Sequence, residues 1–381
     1  MKLLYVDASL DRVTGGGIAE RGVQLCRALS DAGTECTILT LDIGLDAERR
    51  AELAGSRLHP VPCLNRRFLV PRFQPGELRA LVAGADVVEL CSHWSMLNTM
   101  VWRVIRALKK PYLVTPAGAL VVVGRSKLLK YAYQALIGRR IIRNAAGPIA
   151  VTAGELPEFE ACGVSPELVT VIPNGVSPPP PAPDCSLWRN AHDLGARRPI
   201  LFMGRLSYIK GPDILLDAFG LAAANLPEHD LVFVGPDDGM LAGLRAAAEQ
   251  KGLVGRVHFL GYLTGTEKEC AYRAAELLVI PSRKEAMSIV ALEAGIRQVP
   301  VLISDECGFD EIGTVGGGVV VPVDPAAFAT GLSDVLANEA RRIAMGRTLA
   351  KHISEHYTWG RSAALHQQVC RRVLAQSGRG L

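Results

Sequence analysis

Glu285 and Glu293 stand eight positions apart around an almost wholly apolar run, "EAMSIVALE". Within one continuous helix, eight residues at about 100° each would leave the two carboxylates nearly a quarter-turn apart. The preceding residues point to another arrangement. "LLVIPSRKEAMS" reads as a strand, then Pro281, then a polar loop, with Ser288 available as a helix cap and "IVALEAGI" as the helix. Glu285 then lies in the loop and Glu293 in the second turn. Met287, Ser288 and Ile289 bring backbone N–H groups to a helix start, which favours anions, between carboxylates able to accept from pairs of hydroxyls. A sugar nucleotide carries both a diphosphate and diols. An ordinary solvated glutamate pair would show the same spacing, so other residues must decide.

"FMGRLSYIKGPDILLDAF" supplies the next ones. A strand ends at Gly204, and Arg205 and Lys210 occupy the turn into a helix that begins near Gly211-Pro212. Two cations at a helix start oppose the macrodipole unless an anion lies between them, so their placement points to a phosphate, although solvated loop charges would show the same pattern. Glycines 15 to 17 follow the first strand and let backbone approach a phosphate without a Cβ in the way, although a tight strand-to-helix turn would need them equally. His93 also follows a strand, where a lone histidine is often a satisfied structural residue. His352 and His356 have helical spacing without an obvious third ligand and read as surface.

These residues need a frame. "KLLYVDAS", the glycine turn, the helical "GGGIAERGVQLCRALSDAG" and "CTILTL" make a βαβ unit, and "ADVVEL", "PYLVTP" and "GPIAVT" continue it. At "VIPNGVSPPPPAPD" the pattern breaks on the run Pro178 to Pro181, which favours extended geometry. Beyond it, "PILFMGRL", "DLVFVGP", "VHFLGY", "LLVIPS", "VPVLIS" and "GVVVPV" alternate with helical segments. The expected fold class is therefore α/β, with two Rossmann-like doubly wound parallel-sheet domains facing a central cleft. Residues 1–174 form the first, 175–198 the linker and 199–357 the second, and a last helix of about 358–381 packs back on the first. Ligands of such sheets bind beyond the carboxyl ends of the strands.

At 381 residues, 49% hydrophobic and 21% charged, the chain can bury a large core, and a disordered class is excluded. A net charge of +4 argues against nucleic acid as a bulk partner. The nine cysteines are scattered without C-x-x-C, so they are expected to be reduced thiols of a cytoplasmic protein. No run reaches about 18 apolar residues and no secretory leader pattern opens the chain.

Taken in order, the strand-G-R-L-x(4)-K-G turn, "VGPDDG", "VHFLGYL", "LLVIPS" and E-x(7)-E followed by Ala-Gly resemble family four of the retaining GT-B glycosyltransferases. The glycine loop, "ADVVELCSHW", "TPAGAL", "IPNG" and the closing "YTW" extend the resemblance over essentially the whole chain. It implies transfer of a glycosyl group from a nucleotide-sugar donor to a hydroxyl of a glycan or lipid-linked acceptor, with retained configuration. Arg205 and Lys210 would neutralise the leaving diphosphate, Glu285 contact the donor sugar, and Glu293 hold the ribose diol. Gly16 and Gly17 would approach the diphosphate and His93 the reacting sugar, while Gly204, Met287, Ser288 and Ile289 complete the donor site. Gly118, Arg125 and Lys127 are expected on the acceptor side.

No cofactor or metal is expected, since the chain contains no D-x-D and two cations can serve the metal's electrostatic role. Two departures stand out: Ala286 and Ser288 replace the glycines of the family's E-G-F-G, and Ala117 replaces a polar residue before Gly118. Basic residues cluster at Arg66, Arg67 and Arg72, and at Lys127, Lys130, Arg139, Arg140 and Arg143, making an anionic membrane surface a further expected partner unless the second group is simply a solvated helix face. A sugar-nucleotide epimerase and a non-catalytic nucleotide-sugar binding protein are the competing readings. Epimerisation without acceptor would identify the first, and absence of turnover the second.

Overall fold

The computed structural model describes residues 1–13, 15–122 and 126–378, and Arg125 lies outside them. The chain divides into two units, Met1–Gly175 with Trp359–Leu381, and Val176–Thr358.

The first unit contains β1 (Lys2–Val6), β2 (Glu35–Leu41), β3 (Arg57–Val61), β4 (Cys63–Asn65), β5 (Val70–Pro71), β6 (Val87–Cys91), β7 (Tyr112–Thr115), β8 (Gly147–Ala150) and β9 (Thr170–Val171). A parallel sheet runs β3-β2-β1-β6-β7-β8-β9, with β4 and β5 as a separate antiparallel pair. Leu3 faces Cys36 on one side and Val87 on the other, so chain order reverses direction at β1. The central strands read as unbroken apolar runs because helices cover both faces of the sheet. One core packs Leu90, Val101 and Ile142, and the other packs Leu3, Leu25 and Cys26 against Trp359, Ala363 and Val373 of the helix Trp359–Gln376.

The second unit contains β10 (Arg198–Met203), β11 (His229–Val234), β12 (Val257–Gly261), β13 (Leu277–Ile280), β14 (Val301–Ser304) and β15 (Gly318–Val321), in the order β12-β11-β10-β13-β14-β15. Ile200 of β10 pairs with Leu231 on one side and Leu277 on the other. The reversal here falls beside β10. Its core gathers Phe202, Leu215, Phe219, Phe233, Leu277 and Phe328.

Residues following the proline run fold within this second unit. They include a short helix, Ser186–Ala191, whose Trp188 is buried. Cys185, just before it, is joined to Cys270 by a disulfide, with the Cα atoms 5.4 Å apart. That corrects the expectation of nine reduced thiols: scattered cysteine spacing does not say which pairs the fold brings within bonding reach. The other seven are free.

Candidate active site

In an open α/β sheet the place where strand order reverses leaves a crevice beyond the carboxyl ends of two adjacent strands. In the second unit those ends are Met203 and Ile280, and the loops that follow carry Arg205, Lys210 and Glu285. Lys210 reaches the crevice through a tight turn. Tyr208–Lys210 is one 3-10 turn closed by Gly211 at φ 67°, a left-handed conformation that favours glycine. A Cβ on Gly211 would also lie 2.1 Å from the Pro281 carbonyl oxygen, so glycine is what lets the Lys210 turn approach the loop after β13.

The approach brings two residues 75 positions apart into contact: Lys210 Nζ donates to Glu285 Oε1 at 2.7 Å. Ser282 Oγ donates to the same oxygen at 2.6 Å. The Glu285 loop is tied down by its own N–H to the Glu306 carbonyl, 2.8 Å, while Ser304 Oγ donates to the Ser282 carbonyl at 2.6 Å. Glu285 is nearly covered, its side chain 8% exposed, and Lys210 is 28% exposed. A half-covered ammonium has three donors, and Glu285 is its one side-chain hydrogen-bond partner among the described residues. The pair can therefore present both an acceptor and a cation to one ligand.

Arg205 takes a different direction. Its Nη1 lies 3.2 Å from Asp238 Oδ2, and the loop is fixed by Leu206 N–H to the Pro236 carbonyl. Gly204 leads into it at φ 157°, a conformation that L side chains rarely adopt. Behind the Lys210 turn, Arg283 grips Asp213 with two hydrogen bonds of 2.9 and 2.6 Å and lies 3.9 Å over the Tyr208 ring. Arg283 also donates its N–H to the Ile209 carbonyl at 2.7 Å and Nη1 to the Tyr208 carbonyl at 2.6 Å, so this clamp ties the turn to the loop after β13.

Glu293 sits in the helix Ile289–Gly295, which packs Ala291, Leu292 and Ala294 inward. Its carboxylate accepts from Lys268 Nζ at 2.8 Å and Tyr272 Oη at 2.6 Å, both on the helix Gly265–Ala274. Burial acts to raise the Glu293 pKa, but the Lys268 charge and the two hydrogen bonds outweigh it and hold the carboxyl below its usual range. The two glutamates thus serve different cations. Met287 is buried, and Ile289 is partly covered at the helix start. Ser288 occupies the position before the helix but makes no capping bond, and its buried Oγ has no partner. The expected cap is corrected: the side chain turns inward, away from the orphan N–H groups it could have satisfied.

In the first unit the reversal lies between β1 and β6. The helix Gly16–Asp31 begins after β1, with Gly16 at φ 60° and Gly17 exposed. Asp7, at the end of β1, is buried, with Oδ2 unpartnered. Burial pushes its carboxyl up to about 7, against the lowering effect of the Ser9 and Ala8 N–H groups.

His93, after β6, is 2% exposed and donates from Nε2 to Gln134 Oε1 at 2.6 Å. Its ring meets Trp94 and Tyr133 edge-on. A Cβ on Gly138 would come within 2.7 Å of Nε2, so the turn Gln134–Gly138 closes directly over the imidazole. Burial lowers its pKa to about 4, which makes His93 a neutral imidazole near pH 7. Gly118 donates its N–H to Glu155 Oε2 at 2.8 Å, and Lys127 opens an exposed helix.

Sequence reasoning did not single out Ser282, Asp238, Lys268, Tyr272, Asp7 or Gln134. Their roles come from tertiary neighbours, and none carries a local spacing signal. Among the described residues no group of three or more His, Cys, Asp and Glu could hold a metal ion.

Two family models cover most of the chain: "Glycosyl transferases group 1" over residues 187–352 and "Glycosyl transferase 4-like domain" over 16–175. The chain belongs to the group 1 glycosyltransferases, and its fold is GT-B. A D-inositol 3-phosphate glycosyltransferase of Salinispora tropica is 26% identical over 91% of this chain and 79% of its own. An uncharacterized glycosyltransferase of Methanocaldococcus jannaschii is 34% identical, over 47% of this chain and 46% of its own. Among solved structures, sucrose-phosphate synthase of Thermosynechococcus elongatus superposes with a TM-score of 0.77 at 20% identity, over 99% of this chain and 100% of that one. Anabaena HepE, in complex with UDP and glucose, gives 0.76 at 19% identity over 98% and 100%.

Proposed function

We propose that this chain moves a hexosyl group from a nucleotide-diphosphate sugar to a hydroxyl of a glycan or lipid-linked acceptor, with retention of anomeric configuration and without a metal ion. The observation that carries this reading is the Lys210–Glu285 pair, a half-covered cation and a carboxylate held 2.7 Å apart at the strand-order reversal of the second unit. Glu285 accepts from a hydroxyl of the donor hexose while Lys210 and Arg205 stabilise the charge that grows on the diphosphate. Glu293 accepts from the ribose hydroxyls, with Lys268 and Tyr272 fixing its orientation. Backbone N–H groups of Met287, Ser288 and Ile289 face the phosphates, and Gly204 keeps their approach clear. In the first unit Gly16 and Gly17 offer further N–H groups, and His93, held neutral beneath the Gln134–Gly138 turn, stands near the reacting sugar. Gly118, Arg125 and Lys127 receive the acceptor.

The step is a front-face displacement. The acceptor oxygen bonds to the anomeric carbon as the carbon–oxygen bond to the diphosphate breaks, and the hydroxyl proton passes to the departing phosphate oxygen. Charge develops on the diphosphate, so preorganised cations lower the barrier, and removing one such donor typically costs about 10²–10³ in rate. The protein works in the cytoplasm, at the inner face of an anionic membrane. Thermal melting with UDP-, GDP-, ADP- and dTDP-sugars tests the donor, since a ligand of the folded state raises the midpoint by mass action. A rise with one base series is expected, turnover in chelator should be undiminished, and NMR of the product should show the donor's anomeric configuration. No rise with any donor, or an inverted product, would reject the corresponding part.

A further inference from the structure

From residue 90 to residue 154 the chain contains no Asp or Glu and ten Lys or Arg, which leaves 32 of its 42 cations to face all 38 carboxylates elsewhere. A modest net charge therefore conceals a strongly cationic region. Within it the helix Lys127–Tyr133 buries no residue at all. Leu128 is 87% exposed, Leu129 53%, Tyr131 58% and, in the following turn Gln134–Gly138, Leu136 66%. At about 100° per residue these four fall within half of the helix circumference, and Lys127 and Lys130 project from the other half. Ile141 and Ile142 are buried and anchor the segment from its far end.

Beside this face lies a groove of about 480 Å³, lined by Thr99, Trp102, Arg103, Arg106, Leu136 and Arg140 among others. Arg103 and Arg106 project from the helix Met96–Leu108, and the Arg106 guanidinium lies 5.2 Å over the Trp102 ring. None of the three arginines has an ion-pair partner among the described residues. Three guanidiniums around one concavity repel each other unless an anion sits among them, and their planar forks suit phosphate oxygens. Exposed leucines beside such a groove match a ligand that is anionic at one end and apolar at the other.

We propose that this face docks on an anionic phospholipid bilayer: a phosphodiester head group enters the groove among Arg103, Arg106 and Arg140, and Leu128, Leu129, Tyr131 and Leu136 enter the headgroup–acyl boundary. The inference extends the membrane partner proposed above to named residues, and vesicle binding reads it without any sugar donor, so its failure is separate from failure of the transfer chemistry.

Flotation with phosphatidylglycerol–phosphatidylcholine vesicles, against phosphatidylcholine alone, is the test. The wild type should float with the anionic vesicles only, and less as salt rises. Arg103→Glu with Arg106→Glu should weaken binding by more than about tenfold at an unchanged melting midpoint. Leu128→Ser with Leu136→Ser should weaken it with every charge in place. Absence of flotation, equal flotation on neutral vesicles, or release by soluble glycerol phosphate would overturn the proposal. So would an equal loss in Arg66→Glu with Arg67→Glu, because diffuse attraction would then suffice.

Discussion

Two ion pairs of nearly the same length occupy the two units, and they do different work. In the second unit Lys210 and Glu285 meet at 2.7 Å with side chains 28% and 8% exposed. In the first, His366 of the last helix donates to Glu89 of β6 at 2.6 Å, and both side chains are 0% exposed. Thr115 Oγ1 satisfies the other Glu89 oxygen at 2.6 Å, and Cys370 Sγ lies 3.6 Å from His366 Nδ1. Depth separates their roles. A sealed pair can only exchange its partner for nothing, so it bolts the last helix to the sheet. A half-covered pair past a strand end can exchange its partner for a ligand.

The largest expected effect of breaking this contrast falls on the sealed pair. His366→Ala leaves the buried charge of Glu89 without its cation, with only the Thr115 hydroxyl to satisfy it, and removing one member of a buried pair costs about 3–5 kcal/mol. Urea unfolding should report that loss, with only a small change in the kcat of the protein that remains folded. The pair also fixes a pH window. Burial opposes the imidazolium, but Glu89 outweighs it and raises His366 to about 10, so its contribution is present at pH 6 and fades as pH rises through about 10. Burial likewise opposes ionised Glu89, yet His366 holds its carboxyl below the usual range, so that share is lost in acid.

Glu293→Gln should produce a smaller effect, expressed in binding. It removes the charge facing Lys268, and an expected rise of about tenfold in donor KM with kcat little changed would fit a group that binds equally before and during transfer. A loss confined to kcat would move Glu293 into the chemical step.

The effect confined to the narrowest conditions concerns Asp7, buried with one unpartnered oxygen. Its folded pKa, about 7, stands above the ordinary 3.8, so its protonated form is the comfortable one and stability declines as pH rises through 7. Asp7→Asn should raise the melting midpoint at pH 8 and leave it unchanged near pH 3. Equal midpoints at pH 8 would show that Asp7 is ionised in the folded protein at no cost.

Most of the strands were legible because central strands of a doubly wound sheet are buried on both faces and read as apolar runs. β3 escaped because it is an edge strand, "RLHPV", with an arginine and with Pro60, which edges tolerate and central strands do not. β9, two residues at the opposite edge, is too short to carry a pattern. In the site, the types and order of Arg205, Lys210, Glu285 and Glu293 could be read, because a strand end, a glycine and a helix start are local features. Their partners could not. Lys210 finds Glu285 across 75 residues, Glu89 finds His366 across 277, and Cys185 finds Cys270 across 85, all through tertiary packing rather than spacing. Ser288 marks the opposite case, where local propensity suggests a cap and packing turns the hydroxyl inward.

On the function proposed above, the Lys210–Glu285 pair performs transfer rather than holding the fold. Nucleoside diphosphate release should be measured for the wild type, Lys210→Met and Glu285→Gln with the donor that raises the melting midpoint, alongside each variant's own midpoint. Both variants should lose about 10²–10³ in turnover while melting close to the wild type. Variants that turn over like the wild type, or that lose activity only by unfolding, would contradict it.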